Sequence, residues 1–221
     1  MDYSNVLDSI EKQLEGEAHL DQLARKKQDP FKILISTILS ARTKDSNTRI
    51  ATENLFAKYD TPKKIAEADI EEIEQLIKSS GFYRVKAARL KEVSRVLINQ
   101  YNAIVPDNYE DLMSLPGVGS KTANCVLVYA FKVPAIPVDT HVHRISNRLG
   151  WVKTKNPLQT EKALRDSIPK EHWLKVNRLF VRFGQQICLP IRPKCEICLI
   201  ERLCPRDFSM ELANKKKMKT K

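Results

Sequence analysis

Residues 115–123 read Leu-Pro-Gly-Val-Gly-Ser-Lys-Thr-Ala and lie between two segments with helical patterns. The alternating glycines, Gly117 and Gly119, permit positive φ and let a ligand approach the backbone closely. Ser120 is the expected N-cap of the following helix, and the bare N–H groups of a helix N-terminus form a natural phosphate site. The stretch therefore predicts a helix–hairpin–helix over 109–131, although an ordinary tight turn between packed helices has the same pattern.

The formal net charge of the 221-residue chain is +11. Such a surplus favours a polyanionic partner, with nucleic acid ahead of an anionic membrane surface, although a basic protein without such a partner remains an alternative. With this charge, Gly117, Gly119 and Ser120 become candidate contacts to the DNA backbone, which carry no sequence information.

No apolar run approaches the roughly 20 residues that cross a bilayer, and the polar start is unlike a signal peptide. We expect no membrane partner and a cytoplasmic, nucleoid-associated protein.

The rest of the chain is predicted to be all-α. The sequence contains only 6 glycines, and 42% of its residues are hydrophobic, which favours helices with a substantial core. Residues 31–41 are mostly apolar and suit a buried helix, and residues 45–59 predict another with Ile50, Leu55 and Phe56 facing inward. We find no pair of strand patterns joined by hairpin turn residues.

Four of the five cysteines are close together near the C-terminal end. Cys188, Cys195, Cys198 and Cys204 have the spacing C-x6-C-x2-C-x5-C. In a reducing compartment such a cluster predicts metal binding rather than disulfides. One close pair with a single cysteine on either side favours a 4Fe-4S cluster, but spacing alone leaves zinc open. Cys125 lies in an apolar helix and is expected to be a buried small hydrophobe.

These motifs together resemble the endonuclease III family of DNA glycosylases. The stretch 115–123 resembles the helix-hairpin-helix of that family, and residues 137–144, Pro-Val-Asp-Thr-His-Val-His-Arg, resemble the segment with its catalytic aspartate. The cysteine spacing is similar to that of its 4Fe-4S loop. The resemblance covers nearly the whole chain. It implies two helical lobes with damaged double-stranded DNA in the cleft between them, and a monomer active in base excision repair.

The resemblance implies that Lys121 and Asp139 are catalytic, on opposite walls of that cleft. Lys121 would attack the sugar C1′, expel the damaged base and form a Schiff base, after which β-elimination would nick the strand. A helix N-terminus favours the neutral, nucleophilic amine, whereas a nearby Asp139 would oppose it. Asp139 would assist departure of the base and is also expected to cap the helix that begins at Thr140. From local sequence alone, Lys121 could equally be an exposed or phosphate-binding lysine.

The resemblance also implies residues that fill the duplex after the damaged nucleotide is flipped out. The matching positions are Arg42, where many relatives have glutamine, and Phe82, for which core packing is an alternative. Because Lys121 argues against the mismatch-specific sister classes, oxidised pyrimidines such as thymine glycol are the expected substrates. Further predicted DNA contacts are His141, Arg144, Arg192 and Lys194, the last two of which could instead form a solvated basic loop.

The predicted domain organisation has three parts. Residues 27–135 form a six-helix bundle with the hairpin, residues 1–26 and 136–210 form the iron–sulfur domain, and residues 211–221 form a basic, disordered tail. Two competing functions remain open from the sequence. One is a monofunctional mismatch glycosylase, and the other is a non-catalytic DNA-binding or electron-transfer iron–sulfur protein.

Overall fold

A computed structural model describes residues 2–16, 19–25 and 29–209 of the chain. Within these ranges the protein consists of twelve α-helices and three short 3-10 helices, without any strand. The prediction of an all-α fold is confirmed. The predicted basic tail at 211–221 lies outside the described residues.

The twelve α-helices are numbered in chain order. They are α1 (Tyr3–Gln13), α2 (His19–Arg25), α3 (Pro30–Ser40), α4 (Asp45–Lys58), α5 (Pro62–Glu67), α6 (Ile70–Leu76), α7 (Tyr83–Tyr101), α8 (Tyr109–Ser114), α9 (Ser120–Phe131), α10 (Thr140–Arg148), α11 (Pro157–Ser167) and α12 (Trp173–Gln186). The 3-10 helices are Lys170–His172, Cys195–Ile197 and Glu201–Leu203.

Several helices begin where a side chain satisfies the otherwise unpaired N–H groups of the first turn. Asp69 Oδ1 accepts from the backbone N–H groups of Glu71 and Glu72 at 2.8 and 3.4 Å. Asp29 caps α3 in the same way, and Pro30 follows at the first helical position, where a missing N–H costs nothing. Helix ends are therefore set locally, each cap contributing about 1 kcal/mol.

Glu17–Val133 forms one compact unit, here called the hairpin unit. Its core is built around α3, which is buried from Phe31 along most of its length and packs on α4, α7 and α9. Helix α2 contacts α3, α4 and α9. This packing places α2 in the hairpin unit, whereas the boundary predicted from the sequence lies between residues 26 and 27.

Met1–Gly16 and Pro134–Lys221 form the second unit, here called the cluster-loop unit. Helix α1 buries Val6, Leu7 and Ile10 in a core shared with α10 and α12. Ion pairs from Glu11 to Arg178 and from Asp8 to Lys175 flank this contact between α1 and α12. The unit therefore depends on two segments that are far apart in the sequence.

Helix α4 differs from its predicted orientation. Leu55 is buried as expected, but Ile50 is 48% exposed and Phe56 is only half-buried. Two threonines, Thr48 and Thr52, face the core instead, and their hydroxyl groups donate to the carbonyls of the N-cap residue Lys44 and of Arg49 in the helix. The prediction for Ile50 was wrong because threonines that satisfy their own hydroxyls can take core positions.

Candidate active site and cluster loop

The hairpin between α8 and α9 holds a glycine that the fold itself requires. Gly117 has φ of +70°, a conformation that L side chains rarely adopt. A Cβ at this position would lie only 2.1 Å from the Arg89 side chain of α7. Any larger residue would both strain the backbone and displace Arg89, so Gly117 is needed for packing within the hairpin unit.

Gly119 has a different environment. It is extended and forms the N-cap of α9, and a Cβ added there would meet nothing within 4 Å. Ser120 is the first residue of α9, where its Oγ accepts from Asn124 Nδ2 at 3.3 Å. The prediction that Ser120 is the N-cap was therefore wrong. No described residue of the unit requires a glycine at 119, and this surface is open to a partner.

Lys121 lies directly behind the hairpin as the second residue of α9. Its side chain is half-buried, and the helix becomes fully buried from Ala123 to Tyr129. This apolar segment fixes the position of the first turn and so of Lys121. It includes Cys125, which is 1% exposed, as predicted.

Arg42 and Phe82, from two separate loops of the hairpin unit, lie side by side. The Arg42 guanidinium is 5.7 Å from the centroid of the Phe82 ring, within the range of a cation–π contact. Phe82 is 61% exposed, which excludes core packing. Both residues have left-handed backbone conformations, with φ of 52° and 58°, so both loops are held in unusual geometry.

Lys86 was missed by the sequence analysis. It is only 6% exposed, and its ammonium lies 2.7 to 2.9 Å from four acceptors, the carbonyls of Leu39 and Ala41 and the hydroxyls of Thr43 and Ser80, among which its three N–H groups are shared. Burial lowers its pKa to about 8. The sequence contains an indication of this burial, because Lys86 lies on the same face of α7 as Leu90, Val93 and Leu97 at helical spacing.

Asp139 begins α10 in the cluster-loop unit. Its Oδ1 accepts from the backbone N–H groups of His141 and Val142, both at 2.9 Å, so the predicted capping role is confirmed. The preceding segment is held by Asn177 Nδ2, which donates to the Pro137 carbonyl at 2.8 Å. The carboxylate is half-buried and is thus held in one orientation.

His141 and Arg144, both predicted DNA contacts, lie in the first half of α10. Burial lowers the pKa of His141, and the nearby Arg144 adds to this effect while Asp139 opposes it. Arg144 is 8% exposed and donates to the carbonyls of Gly184 and Cys188 at 3.2 and 2.9 Å. Its burial does not fit the predicted DNA contact, since the guanidinium instead fastens the end of α12.

The four cysteines of the cluster loop line one cavity of about 430 Å³, a volume that includes the open solvent at its mouth. Apolar side chains of α10 and α12, such as Ile145 and Phe183, form part of its wall. Burial raises the pKa of the Cys198 thiol to about 11, and the other three sulfurs add to the shift. Among the described residues, no three His, Cys, Asp or Glu side chains are arranged to hold a metal ion.

Arg148 anchors the first part of the cluster loop to α10. It is 3% exposed, and its Nη1 donates to Cys188 Sγ at 3.3 Å and to the Leu189 carbonyl at 2.7 Å. Arg192 and Lys194 project from the same loop and are exposed. Their position is open to a partner and equally consistent with a solvated basic loop.

Comparison with known proteins identifies the family. Residues 35–170 match the HhH-GPD superfamily of base excision DNA repair proteins. Endonuclease III of Thermotoga maritima is 53% identical over 179 residues, which cover 81% of this chain and 84% of the relative. The chain belongs to the endonuclease III family. The resemblance stated from the hairpin, the 137–144 segment and the cysteine spacing is thereby confirmed.

Solved structures of the family agree with this assignment. A trapped endonuclease III–DNA covalent intermediate with an estranged adenine is 38% identical, with a TM-score of 0.81 over 97% of this chain and 96% of that one. A thermostable thymine-DNA glycosylase is 30% identical, with a TM-score of 0.78 over 95% and 94%. The likeness extends over almost the full length of each chain.

As a member of the endonuclease III family, this protein is a DNA glycosylase and abasic-site lyase of base excision repair. No helix in the described ranges is both long and apolar enough to cross a bilayer.

Proposed function

We propose that this endonuclease III family protein acts as a monomer on oxidised pyrimidines in duplex DNA, with Lys121 as its nucleophile. The observation that carries the proposal is the placement of Lys121 at the start of α9, immediately after a hairpin whose Gly119 is open to solvent. A phosphate bound at this helix N-terminus would bring the DNA backbone next to the lysine. A similar chain trapped as a covalent intermediate with DNA fits a nucleophile of this kind.

In this proposal Lys121 starts the reaction. Its Nζ lone pair forms a bond to C1′ while the glycosidic bond breaks and the base leaves with the electron pair and gains a proton. Ring opening gives a Schiff base, loss of a proton from C2′ then breaks the C3′–O bond, and water finally releases the lysine. Glycosylase and lyase steps would therefore share one residue.

Asp139 would assist the first of these steps. Its carboxylate would stabilise the positive charge that develops on the sugar or take part in proton transfer. The two backbone N–H groups that hold Oδ1 would prevent it from turning away. Capping and catalysis would thus use one fixed carboxylate.

Arg42 and Phe82 would occupy the gap left by the flipped nucleotide. Both are exposed and they contact each other, so together they would form one gap-filling unit, here called the plug. Phe82 supplies its apolar ring and Arg42 its positive charge. The guanidinium would donate hydrogen bonds to the orphaned base, where many relatives would use a glutamine amide. Arg192 and Lys194 would contribute phosphate contacts outside this gap.

A 4Fe-4S cluster fits the cysteine loop. The donor set consists of four sulfurs lining one partly apolar cavity, which is the ligand type that such clusters use. Cys188, Cys195, Cys198 and Cys204 would hold it. When bound, the cluster would cross-link the loop, and the chain's own contribution would be to present Arg192 and Lys194 at a fixed place.

Metal analysis tests the cluster. The purified protein should be coloured and contain about four iron and four sulfide per chain, and Cys198→Ser should lose most of this iron. Cys125→Ala removes the one cysteine outside the cavity and should retain it. A colourless wild-type protein with stoichiometric zinc would overturn the assignment.

A panel of duplexes tests the substrate. We expect nicking of duplexes with thymine glycol and with a preformed abasic site, and little activity on 8-oxoguanine opposite A or on T opposite G. Base release without nicking would instead indicate a monofunctional enzyme. Preference for T opposite G would favour mismatch repair, which the likeness to a thymine-DNA glycosylase makes the relevant alternative.

A further inference from the structure

We infer that Lys86 is a positioning residue for base extrusion, which it serves by fixing the loops of Arg42 and Phe82 against each other. This inference rests on the proposed role of those two side chains in filling the duplex. It concerns a buried residue of α7 that touches neither DNA phosphates nor the nucleophile in the proposed reaction.

The two loops need external support. Arg42 and Phe82 have positive φ values of 52° and 58°, which are costly for residues with side chains and persist only when the surroundings enforce them. The cation–π contact between them is exposed and is too weak to fix both backbones. Buried residues underneath the two loops must therefore hold both backbones in this geometry.

Lys86 supplies this support. Its three N–H groups are shared among four acceptors, which are Leu39, Ala41 and Thr43 on the Arg42 side and Ser80 on the Phe82 side. These acceptors are two carbonyls and two hydroxyls. Polar groups on the side of each loop therefore stabilise the positive charge of Lys86. Thr43 Oγ1 also accepts from the Gly81 N–H at 3.1 Å, and the loops meet so closely that a Cβ on Gly81 would lie 2.9 Å from the Arg42 carbonyl.

The arrangement has a specific consequence for the reaction. A plug must enter the duplex as one body when an intact damaged base is pushed out. An abasic site has no base to extrude, so its cleavage depends less on the plug. Lys86 should therefore matter more for release of a base than for nicking at a preformed abasic site.

The test compares Lys86→Met with Lys91→Met under single-turnover conditions. Lys91 is on the same helix and donates to the Ala68 carbonyl, away from both loops. Lys86→Met should lower the rate of thymine glycol removal about tenfold or more, as expected for a misplaced group, but change nicking of an abasic duplex by less than about threefold. Lys91→Met should leave the ratio of the two rates unchanged.

A second pair of variants protects against loss of folding. Thr43→Val removes the shared hydroxyl and should shift the ratio in the same direction, whereas Thr43→Ser should restore it. Equal losses on both duplexes, or a Thr43→Val variant that behaves like Thr43→Ser, would overturn the role of Lys86. Borohydride trapping of the wild type on abasic DNA is run alongside, because its absence would instead defeat the proposed function.

Discussion

Replacing Lys121 by Gln is expected to abolish covalent trapping by borohydride and to lower strand cleavage by about 10³-fold or more. The carboxamide of glutamine cannot form the Schiff base that borohydride reduces, so the loss should be complete for the adduct. Affinity for damaged duplex should fall only slightly, because the hairpin N–H groups remain in place. Trapping gels and equilibrium binding measure the two effects separately.

Two further variants assign the effect to the amine. Lys121→Arg retains the positive charge without a nucleophilic amine and should be as inactive as Lys121→Gln. Lys132→Gln removes a lysine from the opposite end of α9 and should behave as the wild type. Normal adduct formation by Lys121→Gln would mean that another residue is the nucleophile.

Asp139→Asn should lower base release by about 10²-fold or more with little change in stability. Asparagine caps helices as well as aspartate does, so the bonds to His141 and Val142 can be retained while the charge is lost. Asp139→Ala should lose both the activity and about 1 kcal/mol of unfolding free energy. Kinetics and denaturant titration of the two variants distinguish catalysis from capping.

Asp69 provides the matched control for this pair. It caps α6 with the same kind of bonds, from Glu71 and Glu72, in the hairpin unit. Asp69→Asn should leave base release unchanged. If Asp139→Asn were as active as Asp69→Asn, the carboxylate of Asp139 would have only a structural role.

Features that depend on a few neighbouring residues could be predicted from the sequence. The caps at Asp69 and Asp139 are of this kind, because the acceptor and its N–H donors are two or three residues apart. The positive φ of Gly117 also follows from local turn chemistry. Even so, Ser120 was misassigned by one position, since Gly119 takes the cap without a side chain.

Features that depend on tertiary packing could not be predicted. Whether Ile50 or Thr52 faces the core is decided by the neighbours of α4, and Thr52 is bonded there to His19 at 3.0 Å. The spacing along α7 indicates which face Lys86 lies on, but the carbonyl groups that accept from Lys86 and from Arg144 are 40 or more residues away. The identity of a basic residue does not show whether its side chain will contact DNA or donate hydrogen bonds to backbone carbonyls of the protein.

The discontinuous cluster-loop unit has a consequence for synthesis on the ribosome. The hairpin unit is one continuous segment, whereas α1 must wait for α12, which begins about 160 residues after α1 ends. At roughly 5 to 20 residues per second this delay is on the order of 10 to 30 s. During that time Val6, Leu7 and Ile10 lack the helices that bury them in the folded unit, so α1 is a binding segment for a chaperone that recognises nascent apolar residues.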